Sequence, residues 1–165
     1  MRSTLVLALP LAALAACVPA PRPPPPAPAP PPVAPPAPPT PLAADWRDWP
    51  RTPGTWRYQR TPDGSVAGFG VAATAPIVAL RCDRGARRIA IMITAATASA
   101  VTIRTSTARR SLPITGGESV LAATDPLLDA IGFSRGRFVI ERAGVPPLVL
   151  PAWAEIERVT EDCRD

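Results

Sequence analysis

Histidine, lysine and asparagine are absent from this 165-residue chain, and all 18 of its basic residues are arginine. Without an imidazole there is no His-based proton transfer and no His-ligated metal, and without an ε-amine there is no Schiff base. Cysteine is scarce, at three residues, and no two of them have the CxxC spacing of a redox couple. The serines Ser65, Ser99, Ser106, Ser111, Ser119 and Ser134 therefore have no basic partner of the usual kind, and Ser134 lies in no GxSxG elbow. Asp125 and Asp129, four apart, would share a helical face; the simpler reading is a cap and a solvated neighbour. Gly116-Gly117-Glu118 and the stretch from Gly132 to Gly136 read as turns, because neither leads from a strand into a Lys-bearing helix. No catalytic residue, metal site or cofactor is expected, and the chain reads as a non-enzyme.

What the sequence has in abundance is proline, 25 residues, of which 15 lie between Val18 and Pro41. Ahead of them, Arg2 precedes an apolar run from Leu5 to Ala16, the pattern of an export signal too short for a permanent membrane span. The run closes on Leu14-Ala15-Ala16-Cys17, which resembles the lipobox of bacterial lipoproteins. That resemblance implies cleavage before Cys17, a diacylglyceryl group on its thiol and a fatty chain such as palmitate on the new amine. Each buried methylene contributes about 0.8 kcal/mol, so two or three chains hold a protein to a bilayer where one does not. Val18 stands where an Asp would favour retention at the inner membrane. The expected location is therefore the outer membrane, facing the periplasm.

The chain then divides into a signal peptide (1–16), a lipidated cysteine with a Pro/Ala-rich stalk (17–41) and a β-rich domain (42–165). Proline fixes φ and removes its own N–H, so the tract can form neither helix nor sheet. As polyproline II, at about 3.1 Å per residue, it would make a spacer of roughly 70 Å. The PxxP matches it contains are unavoidable in such a composition.

After the stalk, short alternating segments begin. Trp56 to Arg60, a Pro62-Asp63-Gly64 turn and Ser65 to Gly70 read as a hairpin. Further strands are expected at Ile77 to Cys82, Arg88 to Thr94, Val101 to Thr105, Arg109 to Ile114, Ser119 to Ala123, Arg137 to Glu141 and Pro147 to Leu150. The expected fold is mainly β, an antiparallel sandwich or barrel. A short helix should begin at Asp125, with Pro126 at its first position and Gly132 as terminator. A C-terminal helix from Ala152 to Cys163 carries Trp153, Ile156, Val159 and Cys163 on one stripe suited to a sheet.

An odd thiol is awkward in an exported protein, and lipid on Cys17 removes the difficulty. Cys82 and Cys163 are left to pair, in an oxidising compartment that permits the bond. Such a bond would staple the last helix to a central strand.

Arginine offers the remaining chemistry. Arg87, Arg88, Arg104, Arg109, Arg110, Arg135 and Arg137 cluster around the expected strands and form a candidate anion-binding set. Guanidinium forks suit the phosphates of lipopolysaccharide and the carboxylates of peptidoglycan. The competing reading is a solvated surface, since 16 Arg from Asp45 onward face 13 acids. Expected partners are the membrane, through the lipid, and peptidoglycan, lipopolysaccharide or another envelope protein. Nucleic acid is not among them.

The elements Leu80-Arg81-Cys82, Arg137 to Ile140, Leu148 to Leu150 and Trp153 to Cys163 have the layout of a strand cysteine, a late strand pair, an apolar turn into a helix and a closing cysteine. This resembles the invasion-associated locus B family and the VasI family of type VI secretion accessory proteins, over roughly the last 85 residues. The resemblance implies a non-enzymatic envelope module and carries over no active site. A second likeness, to the membrane-bound lysozyme inhibitors, rests on the pairing of a lipid anchor with a small β-domain. It implies inhibition of a periplasmic lysozyme as the alternative task.

Overall fold

The computed structural model describes residues 42–94 and 100–165; Cys17, the export signal, the proline tract and Ser99 lie outside the described residues. The strands are β1 (Thr55–Thr61), β2 (Gly64–Gly70), β3 (Val78–Asp83), β4 (Arg88–Ile93), β5 (Ala100–Arg104), β6 (Arg109–Pro113), β7 (Glu118–Ala122), β8 (Phe138–Arg142) and β9 (Val145–Leu150). Helix α1 (Pro126–Gly132) falls between β7 and β8, and α2 (Ala154–Arg164) ends the chain. The strands form two antiparallel sheets, one of five strands ordered β1-β2-β3-β4-β7 and one of four ordered β6-β5-β8-β9. Neither closes into a barrel, so of the two β architectures expected only the open one forms.

Period-2 alternation explains which residues meet. In the five-stranded sheet Trp56, Ala67, Phe69, Leu80, Cys82, Ile89, Ile91 and Leu121 point inward and are buried. From the four-stranded sheet Val101, Ile103, Leu112, Ile140 and Leu150 join them, with α1 and α2, in one continuous core. α2 lies on the inner face of the larger sheet, against β1 to β4, through buried Ile156, Val159, Thr160 and Cys163.

The disulfide Cys82–Cys163 joins α2 to β3, the middle strand of the five, with a Cα–Cα distance of 5.5 Å. Gly64 makes room for it, since a β-carbon there would sit 2.5 Å from the Cys82 carbonyl oxygen. The C-terminus of α2 is held by arginines: Arg84 Nε donates to the Asp162 carbonyl and Arg87 Nη2 to that of Arg164. Cations there satisfy carbonyls that have no partner within the helix. Asp162, whose charge opposes the helix dipole, accepts a 2.5 Å hydrogen bond from the Tyr58 hydroxyl and faces Arg60 at 3.9 Å. Burial pushes its carboxyl up, but these groups outweigh burial and hold it below the usual carboxylate range.

The N-terminal residues of the domain form a strap on the outer face of the smaller sheet. Trp46 and Trp49 pack over Val139 and Val149. Trp49 Nε1 donates to the Ala43 carbonyl at 2.6 Å, and Arg137 donates to the Trp49 carbonyl at 2.8 Å. Thr52 then bonds β9 in both directions, its N–H to the Val149 carbonyl and its hydroxyl oxygen from the Val149 N–H. The strap thus covers an edge whose backbone groups would otherwise be open to pairing with another chain.

Two local expectations need correction. β9 begins at Val145 and runs through Pro146 and Pro147. Prolines are tolerated there because β9 is an edge strand paired only with β8. α2 begins at Ala154, with Trp153 as its cap and 40 % exposed; Thr160 takes the buried place assigned to Trp153. Gly132 ends α1, as expected, without a left-handed backbone. A β-carbon at that position would meet only the flexible Glu157 side chain of α2.

Candidate functional site

The arginines of the candidate anion-binding set do not come together. Arg87, in a left-handed conformation (φ 51°), turns toward α2 and bonds its end, whereas Arg88 opens β4 and is exposed. Arg104 and Arg109, opposite one another on β5 and β6, both bind Glu141 of β8 at 3.0 Å. Arg110 binds Asp125 at 2.9 Å, and Arg137 holds the strap. The Arg135 backbone N–H donates to the Ser106 hydroxyl, in a pair of loops that Ser134 ties together by accepting from the Ser106 N–H. Most of the set is thus engaged in internal bonds.

Asp125 and Asp129 likewise have separate partners. Asp125 is the N-cap of α1, accepting from the Leu127 N–H at 2.8 Å. Burial raises its carboxyl, but the bonds from Arg110 and Leu127 prevail and hold it below the ordinary range. Asp129 instead pairs with Arg164 at 2.8 Å. The carboxylate near Asp129 is Glu157, whose Oε1 is buried without a hydrogen-bond partner. Burial first, then the charges of Asp129 and Glu161, push Glu157 above its ordinary value against the opposing pull of Arg164. A raised folded-state pKa means the native protein holds a proton that the unfolded chain releases. Stability from this group is present below the ordinary Glu range and is lost as pH rises through the raised value. Glu157→Gln should therefore raise the melting temperature by a few degrees at pH 7 and leave it unchanged near pH 4, as measured by thermal unfolding at the two pH values.

The serines that lack a basic partner in the sequence are spread over separate elements. Ser65 and Ser119 are buried on the inner face of the larger sheet, and buried Ser134 donates its hydroxyl to the Arg137 carbonyl. Among the described residues no group of three or more Cys, Asp and Glu side chains is arranged to hold a metal ion.

An open recess lies on the outer face of the five-stranded sheet. A cleft of about 740 Å³ is lined by Thr61, Pro62 and Asp63 from the first hairpin and by Arg81, Asp83, Arg84 and Gly85 from the second. It adjoins a smaller one of about 210 Å³ that shares Arg81 and Asp83 and continues over Arg88, Ala90, Glu118 and Val120. Strand register builds this surface. Arg81 lies beside Ala90, which lies beside Val120; one pair along, Asp83 lies beside Arg88; and Glu118 lies beside Met92. Ala90 is only 7 % exposed although it faces outward, whereas Met92 and Val120 are exposed at 41 % and 48 %. The result is a small-residue floor walled by long side chains. Among the described residues, Arg81, Arg88 and Glu118 make no salt bridge.

Of these residues only Arg88 belonged to the candidate set. Arg81 was legible as an outward position, because Leu80-Arg81-Cys82-Asp83 alternates apolar with charged. Glu118 was not, since nothing local announces that β7 pairs with β4 across the intervening β5 and β6. No protein family, characterised protein or solved structure matches this chain.

Proposed function

We propose that this protein is a non-catalytic lipoprotein of the bacterial cell envelope, with an acylated Cys17, a stalk of residues 18–41 and a binding domain held in the periplasm from the outer membrane. The observation that carries the reading is the cysteine arithmetic. Cys82 and Cys163 are joined in the folded domain, which fits an oxidising compartment and leaves Cys17 as the single cysteine at the end of the apolar run. The strap fits it too, because Trp46 and Trp49 lie on the smaller sheet, away from the recess on the larger one. A domain presented in this way suits binding, with the exposed arginines and acids of the recess as the contact groups.

Cys17→Ser is the direct test. The native protein should fractionate with membranes and show an N-terminal mass increased by diacylglycerol plus a fatty acyl chain. The serine variant should move almost wholly to the soluble fraction, since the anchoring free energy of two or more chains is lost. An unmodified Cys17 in native material would overturn the proposal.

A further inference from the structure

We infer that the recess on the outer face of the five-stranded sheet binds a zwitterionic peptide group, one that presents an ammonium and a carboxylate close together, as the cross-linking side chain of a cell-wall peptide does. The inference rests on the envelope reading above and gives its binding face a ligand class.

The charges of the lining point this way. Arg81 and Arg88 are exposed, and no salt bridge among the described residues engages them. They are diagonal neighbours on β3 and β4, since Arg81 faces Ala90 and Arg88 faces Asp83. At that spacing, about 7–8 Å between cross-strand positions, two long guanidinium side chains can converge on one carboxylate. Alone they would suit any anion. The same lining, however, carries Asp63, Asp83 and Glu118. These carboxylates repel a phosphate or polyanion, and Asp63, Glu118 and the Asp83 oxygen not taken by the Ala86 N–H give an ammonium its partners, so the surface has both signs within one strand pair or two. Arg84 adds little cationic reach, because its Nε is bound to the Asp162 carbonyl. Between the charges, Ala90 and Val120 provide a low apolar floor for the alkyl part of a side chain.

A purely anion-binding surface elsewhere is less well supplied. Arg104 and Arg109 share Glu141, and Arg110 is held by Asp125, so an anion there would have to displace a bonded carboxylate. In the recess, cations and acids that no salt bridge among the described residues engages lie side by side.

The test is calorimetric titration of the full chain in detergent with a synthetic tetrapeptide containing diaminopimelate, whose side chain ends in both groups. Saturable binding is expected. Acetylating the amine, or amidating the side-chain carboxylate, should weaken it about tenfold each, the effect of one charge-assisted contact. Glu118→Gln should reproduce the first loss and Arg81→Gln or Arg88→Gln the second, with melting temperature unchanged because all three side chains face outward. Absence of binding, or affinity unaltered by these changes, would overturn the inference. So would equal competition by inorganic phosphate, which marks a simple anion site. The mass of Cys17 is measured on the same material. Acylated protein that ignores the peptide refutes the ligand class alone, whereas an unacylated Cys17 refutes the envelope reading whatever the titration shows.

Discussion

Replacing Cys163 with serine is expected to lower the stability of the domain by about 4.5 kcal/mol and its melting temperature by roughly 15 °C. The bond closes a loop of 81 residues, and in the chain-entropy description a loop of that length removes this much freedom from the unfolded ensemble. A domain of this size has a total stability of about 5–15 kcal/mol, so the bond decides how much of the chain is folded at growth temperature. Both sulfurs are buried, Cys82 at 2 % and Cys163 at 0 % exposure. Reductant should therefore act slowly on the native protein and readily once it opens. Cys82→Ser, Cys163→Ser and the double variant should have the same denaturant midpoint as the fully reduced wild type, because all four lack one and the same bond. A double variant markedly weaker than either single one would mean that the thiols also contribute as packing residues.

Trp56→Ala is expected to cost about 4 kcal/mol, within the range for deleting a large buried aromatic. Trp56 is 2 % exposed on the inner face of β1 and stacks at a tilt on Phe69, with centroids 5.2 Å apart. Its Nε1 donates at 2.8 Å to the carbonyl of Pro151, just before the turn into α2. Truncation removes packing on both neighbours and leaves that carbonyl buried without a donor. Trp56→Phe separates the two effects, keeping most of the packing, and should cost about 1–2 kcal/mol. Urea unfolding of the three proteins, compared at constant slope, checks the order. If the Phe variant proves as weak as the Ala variant, the hydrogen bond outweighs the packing. The two large effects meet in α2, which Trp56 holds at its approach and the disulfide at its end.

The strand pattern was readable because each strand is short, alternates and is punctuated. Pro62-Asp63-Gly64 marks the first hairpin, and Ile89, Ile91 and Ile93 identify the buried side of β4 without reference to any other element. The pairing of Cys82 with Cys163 was readable by arithmetic. What sequence could not supply is the way non-adjacent strands come together. Arg87 and Arg88 look like one basic pair, yet a left-handed turn residue sends the first to a helix end and the alternation of β4 sends the second outward. Arg104 and Arg109 look like free cations until β8 brings Glu141 between them. The acid of the recess, Glu118, and the apolar Val120 arrive only because β7 skips two strands to join β4. Trp153 was misassigned for a related reason: its spacing fits the helical stripe, but the extended backbone at that residue (φ −112°, ψ 163°) precedes the first helical turn.

The strap has a mechanical consequence. A pull transmitted along the chain toward residue 42 loads the two indoles and the Thr52–Val149 bonds first, and these lie on β8 and β9 of the smaller sheet. The covalent link between β3 and α2 lies off that path. Such a load would peel the strap from its edge before it strained the body, so the first bonds to give are those of Trp46 to Thr52.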